Sequence, residues 1–410
     1  MKRKLALLSA SVLTIGMASA ADGLYYIGSE AQQSIPLKWV VGMDLTFDDN
    51  VTPGSATKDS GTSINPYVGL SFVNMTPQTT WDVYTRLGAI YYFDKPSTLN
   101  DSTYPQLRAG INLTHRFDER LRLSSRNFIA YELEPDYSYG FATSRQAGAY
   151  LYWESDNALG YRWSERLATY TGFVLTGLTY PDLQNQNRFT WTVYNQFRYQ
   201  LTPQQTVLTL DYRYGQTTAG DLASDCTDQY ILLGLEHRFS PNTILVARGG
   251  LQLHTVDMGS NSSNPFLELT LNSQINEDFL LKGFVRYSVE GYDTVQQVGL
   301  GLYDFSQRQT LRLGLSAEYK VSPMFSIFGG VDYIPANFND GFLVSPPALG
   351  TPLGVSGLSE SLVNLCIGVS VKFNDFLYGS LSYNYTDSTS DFINQAYTRN
   401  RVTVGLRCEF

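Results

Sequence analysis

The chain has 410 residues, 14% of them aromatic and only 16% charged, with a formal net charge of −9. So negative a chain offers no basic face for phosphates, which excludes nucleic acid as a partner. No apolar run reaches the ~20 residues of a transmembrane helix, so a membrane position requires strands. Lys2, Arg3 and Lys4 open the chain, an apolar stretch runs from Leu5 to Met17, and Ala18-Ser19-Ala20 supplies small residues for cleavage. This predicts an export signal peptide over 1–20. Residues 21–35 follow as a short periplasmic segment, too short for a plug domain, and 36–410 form the folded body.

From 36 onward the pattern has period two, the signature of strands with two unlike faces. Trp39, Val41, Met43, Leu45 and Phe47 alternate with Val40, Gly42, Asp44 and Thr46; Leu311, Leu313, Leu315, Ala317 and Tyr319 alternate with Arg312, Gly314, Ser316 and Glu318. In chain order the predicted strands are 36–48, 64–74, 79–94, 104–117, 119–133, 144–155, 160–176, 186–201, 204–215, 227–239, 242–256, 264–275, 278–292, 307–321, 323–336, 359–373, 376–386 and 397–410. Many reach the about 9–11 residues a tilted membrane strand needs. Aromatics mark the ends of the apolar face, as at Trp39 and Phe47 or Phe189 and Tyr199, where interfacial girdles require them.

Every second connection is tight: Phe117-Asp118-Glu119-Arg120, Leu201-Thr202-Pro203-Gln204, Phe239-Ser240-Pro241-Asn242, Ile275-Asn276-Glu277-Asp278, Val321-Ser322-Pro323-Met324 and Phe373-Asn374-Asp375-Phe376. Asn, Asp, Ser and Pro suit turns because they bond to nearby backbone or preset φ. The intervening connections, such as 49–63, 214–226, 292–306 and 337–358, are longer and polar. Short turns on one side and long loops on the other describe an all-β, transmembrane, antiparallel up-and-down barrel. The count is about eighteen strands, with sixteen as the second choice. The last strand carries Val402, Val404, Leu406, Cys408 and Phe410 on one face. A terminal Phe410 there resembles the assembly signal that the barrel-assembly machinery reads, which places the chain in the bacterial outer membrane, among lipid and lipopolysaccharide.

Leu45-Thr46-Phe47-Asp48-Asp49-Asn50-Val51 resembles the "YDDN" stretch that ends the first strand in β-barrel porins of the porin-2 type, with Phe where Tyr is usual. The resemblance implies an outer-membrane pore for small hydrophilic solutes or ions, and some members of that group accompany exopolysaccharide secretion. It is compatible with a homotrimer. Asp48-Asp49-Asn50 also reads simply as a polar exit into the first outer loop.

With the apolar face to lipid, the other face lines the interior. It carries Asp44, Arg86, Arg108, Arg116, Arg188, Arg198, Asp211, Arg213, Glu236, Arg248, Glu268, Arg286, Glu290, Arg312, Glu318 and Arg407. Charges of both signs across a lumen set ion preference; pairing between neighbouring strands is the commoner role for any one of them. A barrel of this size is wide enough for an aqueous channel. The segment 337–358, with Phe338, Asp340 and Phe342, is the candidate constriction loop because its apolar content is odd for a loop in water. The outer loops lean acidic, with Asp59, Asp101, Glu132, Glu134, Asp136, Asp182, Asp221, Asp225, Asp257 and Asp293, which biases the mouth toward cations.

Rival functions lack residues. Cys226, Cys366 and Cys408 are far apart, with no CxxC pair and no Cys/His cluster along the sequence, so no metal or cofactor is expected. Of the three His, His115 and His237 fall on the apolar face near the short turns. His254 faces inward near the outer rim, close in sequence to Asp257; no Ser motif accompanies it, so no enzyme is predicted. A non-conducting structural or secretion-associated barrel is the alternative.

Overall fold

A strand pattern with one apolar and one polar face needs two different solvents, and a cylinder provides both. The computed structural model describes residues 35–53, 58–97, 99–133, 149–181, 187–203, 205–220, 222–291, 293–345 and 352–410. The predicted signal peptide and the segment after it, to residue 34, lie outside these. The strands are β1 (Ile35–Asp48), β2 (Gly61–Met75), β3 (Thr79–Tyr92), β4 (Thr103–Arg116), β5 (Leu121–Glu132), β6 (Tyr150–Arg162), β7 (Leu167–Thr179), β8 (Arg188–Thr202), β9 (Thr206–Ala219) and β10 (Cys226–Ser240). They continue as β11 (Thr243–Val256), β12 (Ser262–Gln274), β13 (Phe279–Val289), β14 (Val295–Val298), β15 (Gly301–Ser322), β16 (Phe325–Leu343), β17 (Gly354–Val355), β18 (Leu358–Lys372), β19 (Leu377–Ser390) and β20 (Tyr397–Glu409). Among the described residues β14 pairs only with β15 and β17 only with β16, so the wall has the eighteen strands the sequence predicts.

Each wall strand pairs antiparallel with the next, and β1 closes on β20 from Val40↔Glu409 to Asp48↔Arg401. The ring continues below this run, where Trp39 and Phe410 exchange backbone bonds of 3.0 and 2.8 Å. Closure leaves no strand edge, which a hydrocarbon environment demands. The outer surface carries exposed apolar side chains, among them Leu233, Ile231, Val41 and Leu406. The residues that open the short turns form a band of their own at one rim: Phe117, Trp163, Phe239, Ile275 and Phe373 are all exposed there, with Phe410. His115 and His237 sit on the same face, each bonded to a cross-strand Thr (Thr79 at 2.8 Å, Thr206 at 2.9 Å) and stacked edge-on against Phe117 and Phe239.

Three of the tight turns share one device. Asp118 Oδ1 accepts from the N–H groups of Arg120 and Leu121, Asn276 Oδ1 from Asp278 and Phe279, and Asn374 Oδ1 from Phe376 and Leu377. The backbone donors of Leu121 and Arg120 hold the Asp118 carboxyl below the usual aspartate range. A depressed pKa means the turn is fully capped above the ordinary value of about 4 and loses that stabilisation as pH falls through the folded value. An NMR titration of the Arg120 and Leu121 amides will show a midpoint below that of a model aspartate.

Two differences from the sequence reading have physical causes. The sixth and seventh strands were expected at 144–155 and 160–176, split at the polar run Glu154-Ser155-Asp156-Asn157. That run lies inside β6, and the turn comes later, at Trp163-Ser164-Glu165-Arg166, where Trp163 N bonds Leu167 O at 2.9 Å. Asp156 points inward to an ion pair with Arg126. Ser155 and Asn157 point outward and close a four-membered ring with Ser125 and Asn127, through bonds of 2.7 to 3.0 Å. Turn-forming residue types can thus stay in a strand when cross-strand partners satisfy them. The second difference concerns 292–306 and 337–358, which were expected to be irregular. β15 begins at Gly301 and β16 runs on to Leu343, so much of both segments is strand.

Candidate functional site

The inner wall holds its charges in pairs, and the register explains which. On four adjacent strands Arg248, Glu268, Arg286 and Arg312 stand directly opposite one another. Arg248 bonds Glu268 at 3.1 Å and reaches Asp211 at 3.5 Å, and Asp211 also takes Arg213 at 3.2 Å. Elsewhere a long side chain spans a strand whose facing residue is small. Arg198 on β8 reaches Glu236 on β10 over Thr209, with its NH1 2.8 Å from Oε1. Arg86 on β3 reaches Asp44 on β1 at 3.0 Å and lies 3.7 Å from the centre of the Tyr67 ring. Arg108 grips Glu132 through two bonds of 2.8 and 2.6 Å, so Glu132 belongs to the wall rather than to a loop. Arg407 pairs with Glu409 at 3.2 Å, Arg116 stands opposite Arg122, and Glu318 lies near Lys282. Low-dielectric surroundings strengthen such pairs, but desolvation offsets much of the gain, so their main effect is to fix side-chain positions.

The candidate constriction at 337–358, of which 346–351 lie outside the described residues, runs beside a second segment that reaches across the barrel. Phe338, Asp340 and Phe342 lie on β16, which stays hydrogen-bonded to β15. Phe338 is fully buried against Phe305 and Phe392, with ring centres 5.5 and 4.8 Å away. The segment that reaches farthest is 290–306, which leaves the end of β13 and includes the upper end of β15, where Tyr303, Asp304 and Phe305 still pair with Leu343, Phe342 and Gly341 of β16. Regular pairing of β13 with β12 ends at Leu267↔Tyr287. Beyond it, both backbone groups of Val289 bond the amide of Gln252, two strands away on β11, at 2.9 Å each. A side chain thus replaces the missing ladder partner, and the chain can leave the wall without stranding buried polar groups.

Alternation stops where the segment turns in. Ser288, Val289 and Glu290 are buried, as are Asp293 through Gln296 and Tyr303 through Ser306. Burial of successive residues means protein on both faces, which a wall strand does not have. Glu290 anchors the near end: Arg312 Nε lies 2.7 Å and Arg308 NH1 3.3 Å from its carboxylate, with all three side chains almost wholly buried. Farther on, the Gly291 carbonyl accepts from Arg188 Nε at 3.0 Å, and Asp304 accepts from the Ser224 N–H at 2.7 Å. Gln296 accepts from Gln395 Nε2 at 3.2 Å. Arg188 opens β8 and Gln395 lies in the β19–β20 loop, positions about half the circumference apart in the ring. The segment therefore bridges the mouth.

The fold also joins residues that sequence spacing keeps apart. His254 Nδ1 lies 2.8 Å from Asp228 Oδ1, not against Asp257, whose backbone N–H bonds the Asp225 carbonyl. Cys226 stands two residues before Asp228 on the same face. Of the acidic loop residues, Glu134, Asp136, Asp182 and Asp221 lie outside the described residues.

The Asp48-Asp49-Asn50 stretch closes the seam. Asp48 accepts from Arg399 Nε at 3.0 Å, and Asn400 N and Nδ2 donate to Asp49 at 2.6 and 2.8 Å. Asn50 Nδ2 donates to the Thr398 carbonyl at 3.0 Å.

No family model matches the chain. No curated protein matches it in sequence. Among solved structures it is similar to OccAB4 of Acinetobacter baumannii, at 14% identity and a TM-score of 0.44, over 92% of this chain and 99% of that one. It is also similar to the outer membrane protein OpdK of Pseudomonas aeruginosa (12% identity, TM-score 0.44, 91% and 99% covered). OccK9 (OpdG) of the same organism gives 10% identity and a TM-score of 0.46, with 92% and 99% covered. Likenesses this distant do not bear on what the chain binds.

Proposed function

We propose that this chain is an outer-membrane channel for small hydrophilic solutes or ions, with the charged inner wall lining the path and segment 290–306 setting its width. One observation carries the reading: a closed eighteen-strand ring with an apolar exterior and a wall of paired Arg and acidic side chains inside. Rings of this size leave room for an aqueous lumen, and a wall built of charges serves water and polar solutes better than a packed core. Purified, refolded protein in a planar bilayer will give discrete conductance steps, with a non-zero reversal potential in a salt gradient. Folded protein that inserts and gives no steps would overturn the proposal and leave a structural barrel. The packed mouth favours that second reading, and the same recording decides between them.

Two associated roles belong to the same reading. Phe410 acts as the signal for the barrel-assembly machinery: deleting it will reduce the yield of folded barrel in cell envelopes, while refolding in detergent persists. A homotrimer would use the outward ring of Ser125, Asn127, Ser155 and Asn157, since hydrogen-bonding side chains on a lipid face are better placed against protein. Cross-linking of an Asn127→Cys variant tests that contact, and no dimer or trimer band counts against it.

A further inference from the structure

We infer that Cys226, Asp228 and His254 form a binding site for a borderline-soft divalent cation of the Zn²⁺ class, set in the inner wall beneath the intruding segment. The three side chains present a thiol, a carboxylate and an imidazole whose ligand atoms all lie within 4.8 Å of one another. They come from two paired strands. Cys226 and Asp228 are two apart on β10 and so share a face, and His254 stands directly opposite Asp228 on β11. That geometry is rigid, because both strands are bonded on both sides. Cys226 and His254 are buried, at 5% and 2% exposure.

The donor set narrows the ion. Hard cations such as Mg²⁺ and Ca²⁺ take oxygen ligands, whereas thiolate with imidazole suits Zn²⁺ and its soft neighbours. Three protein ligands with one position left for water is a common zinc arrangement. Supporting groups are already in place. Gln252 Nε2 donates to Asp228 at 2.7 Å and orients its carboxylate, while Gly291 roofs the thiol so closely that a Cβ there would lie 3.1 Å from Sγ. The His254–Asp228 bond holds the two side chains together before an ion arrives. On binding, the thiol releases its proton to solvent and the sulfur lone pair forms the metal–sulfur bond. Arg188 is the adverse charge nearby, but it is engaged by the Gly291 carbonyl and lies among Asp293 and Asp304.

The test uses the full chain refolded in detergent, so it does not depend on conduction. With Cys366→Ser and Cys408→Ser as background, Cys226 is the only thiol. Titration with Cd²⁺ will produce a thiolate-to-metal charge-transfer band that saturates at one ion per chain, and Zn²⁺ will displace it. Adding Cys226→Ser will abolish the band, and His254→Gln will weaken Zn²⁺ binding measured by calorimetry by about tenfold or more. Binding that does not saturate at one ion, or that survives both substitutions unchanged, would overturn the site. Far-UV circular dichroism and heat-modifiable gel mobility confirm that each variant is folded.

Discussion

Replacing residues 291–306 with a short Gly-Ser turn will raise single-channel conductance several-fold while leaving the barrel able to refold. The wall below Glu290 does not need the segment; the replacement takes from β16 only its uppermost partners, Tyr303 to Phe305. Glu290 N bonds the Arg308 carbonyl at 2.9 Å, so the two strands already stand side by side where the segment leaves and returns. A turn of two to four residues can join antiparallel neighbours at that point. What the replacement removes is the bridge from Arg188 to Gln395 and the packing of Tyr303 and Phe305 under the mouth. Conductance scales with the narrowest part of the path, so removing a strand that crosses it has a large effect. An unchanged conductance in a folded variant would mean that the width is set elsewhere. Glu290→Gln is the subtler companion. It leaves Arg308 and Arg312 without their shared carboxylate, and such loss in a buried site costs about 3–5 kcal/mol. The segment will then loosen at its root, seen as larger current noise and faster amide exchange at Val289.

The wall was legible in the sequence because its signals are local. Alternation, turn residues at every second junction and the aromatic band each depend on neighbours a few positions apart. The polar run at 154–157 misled because the residues that satisfy it, Arg126, Ser125 and Asn127, lie on another strand and leave no mark beside it. The intruding segment was harder still. Nothing in the residues 290–306 says that Gln252 will supply a substitute backbone partner, and apolar residues such as Phe338 mark burial without saying what covers it. The Cys226, Asp228 and His254 cluster depends on a register between β10 and β11, which spacing along the chain does not reveal. The charged wall was readable as a face; its individual pairs, which often skip a strand, were not.

Asp48→Ala will be the most destabilising single change at the seam between the first and last strands. A barrel closes by pairing β1 with β20, and these strands are as far apart in sequence as the chain allows. That contact gains nothing from local structure and must be held by what lies on it. Asp48 takes Arg399 through Nε and the terminal nitrogen and also caps the Asn50 N–H at 2.9 Å, with both side chains nearly buried. At the other end Lys38 and Arg407 converge on Glu409. Losing the Asp48 carboxylate takes away the acid that faces the buried Arg399 charge across the seam, and breaking such a pair costs about 3–5 kcal/mol. Urea unfolding of the detergent-refolded protein, followed by Trp fluorescence, reads the loss directly. Asp48→Leu combined with Arg399→Met will recover most of it, because apolar groups of similar size carry no desolvation penalty. A single variant within about 1 kcal/mol of the parent would show that the β1–β20 ladder alone holds the seam. If the double variant recovers and the single one does not, the clasp works by the pairing of its charges, and the stretch at 48–50 is a closing device before it is anything else.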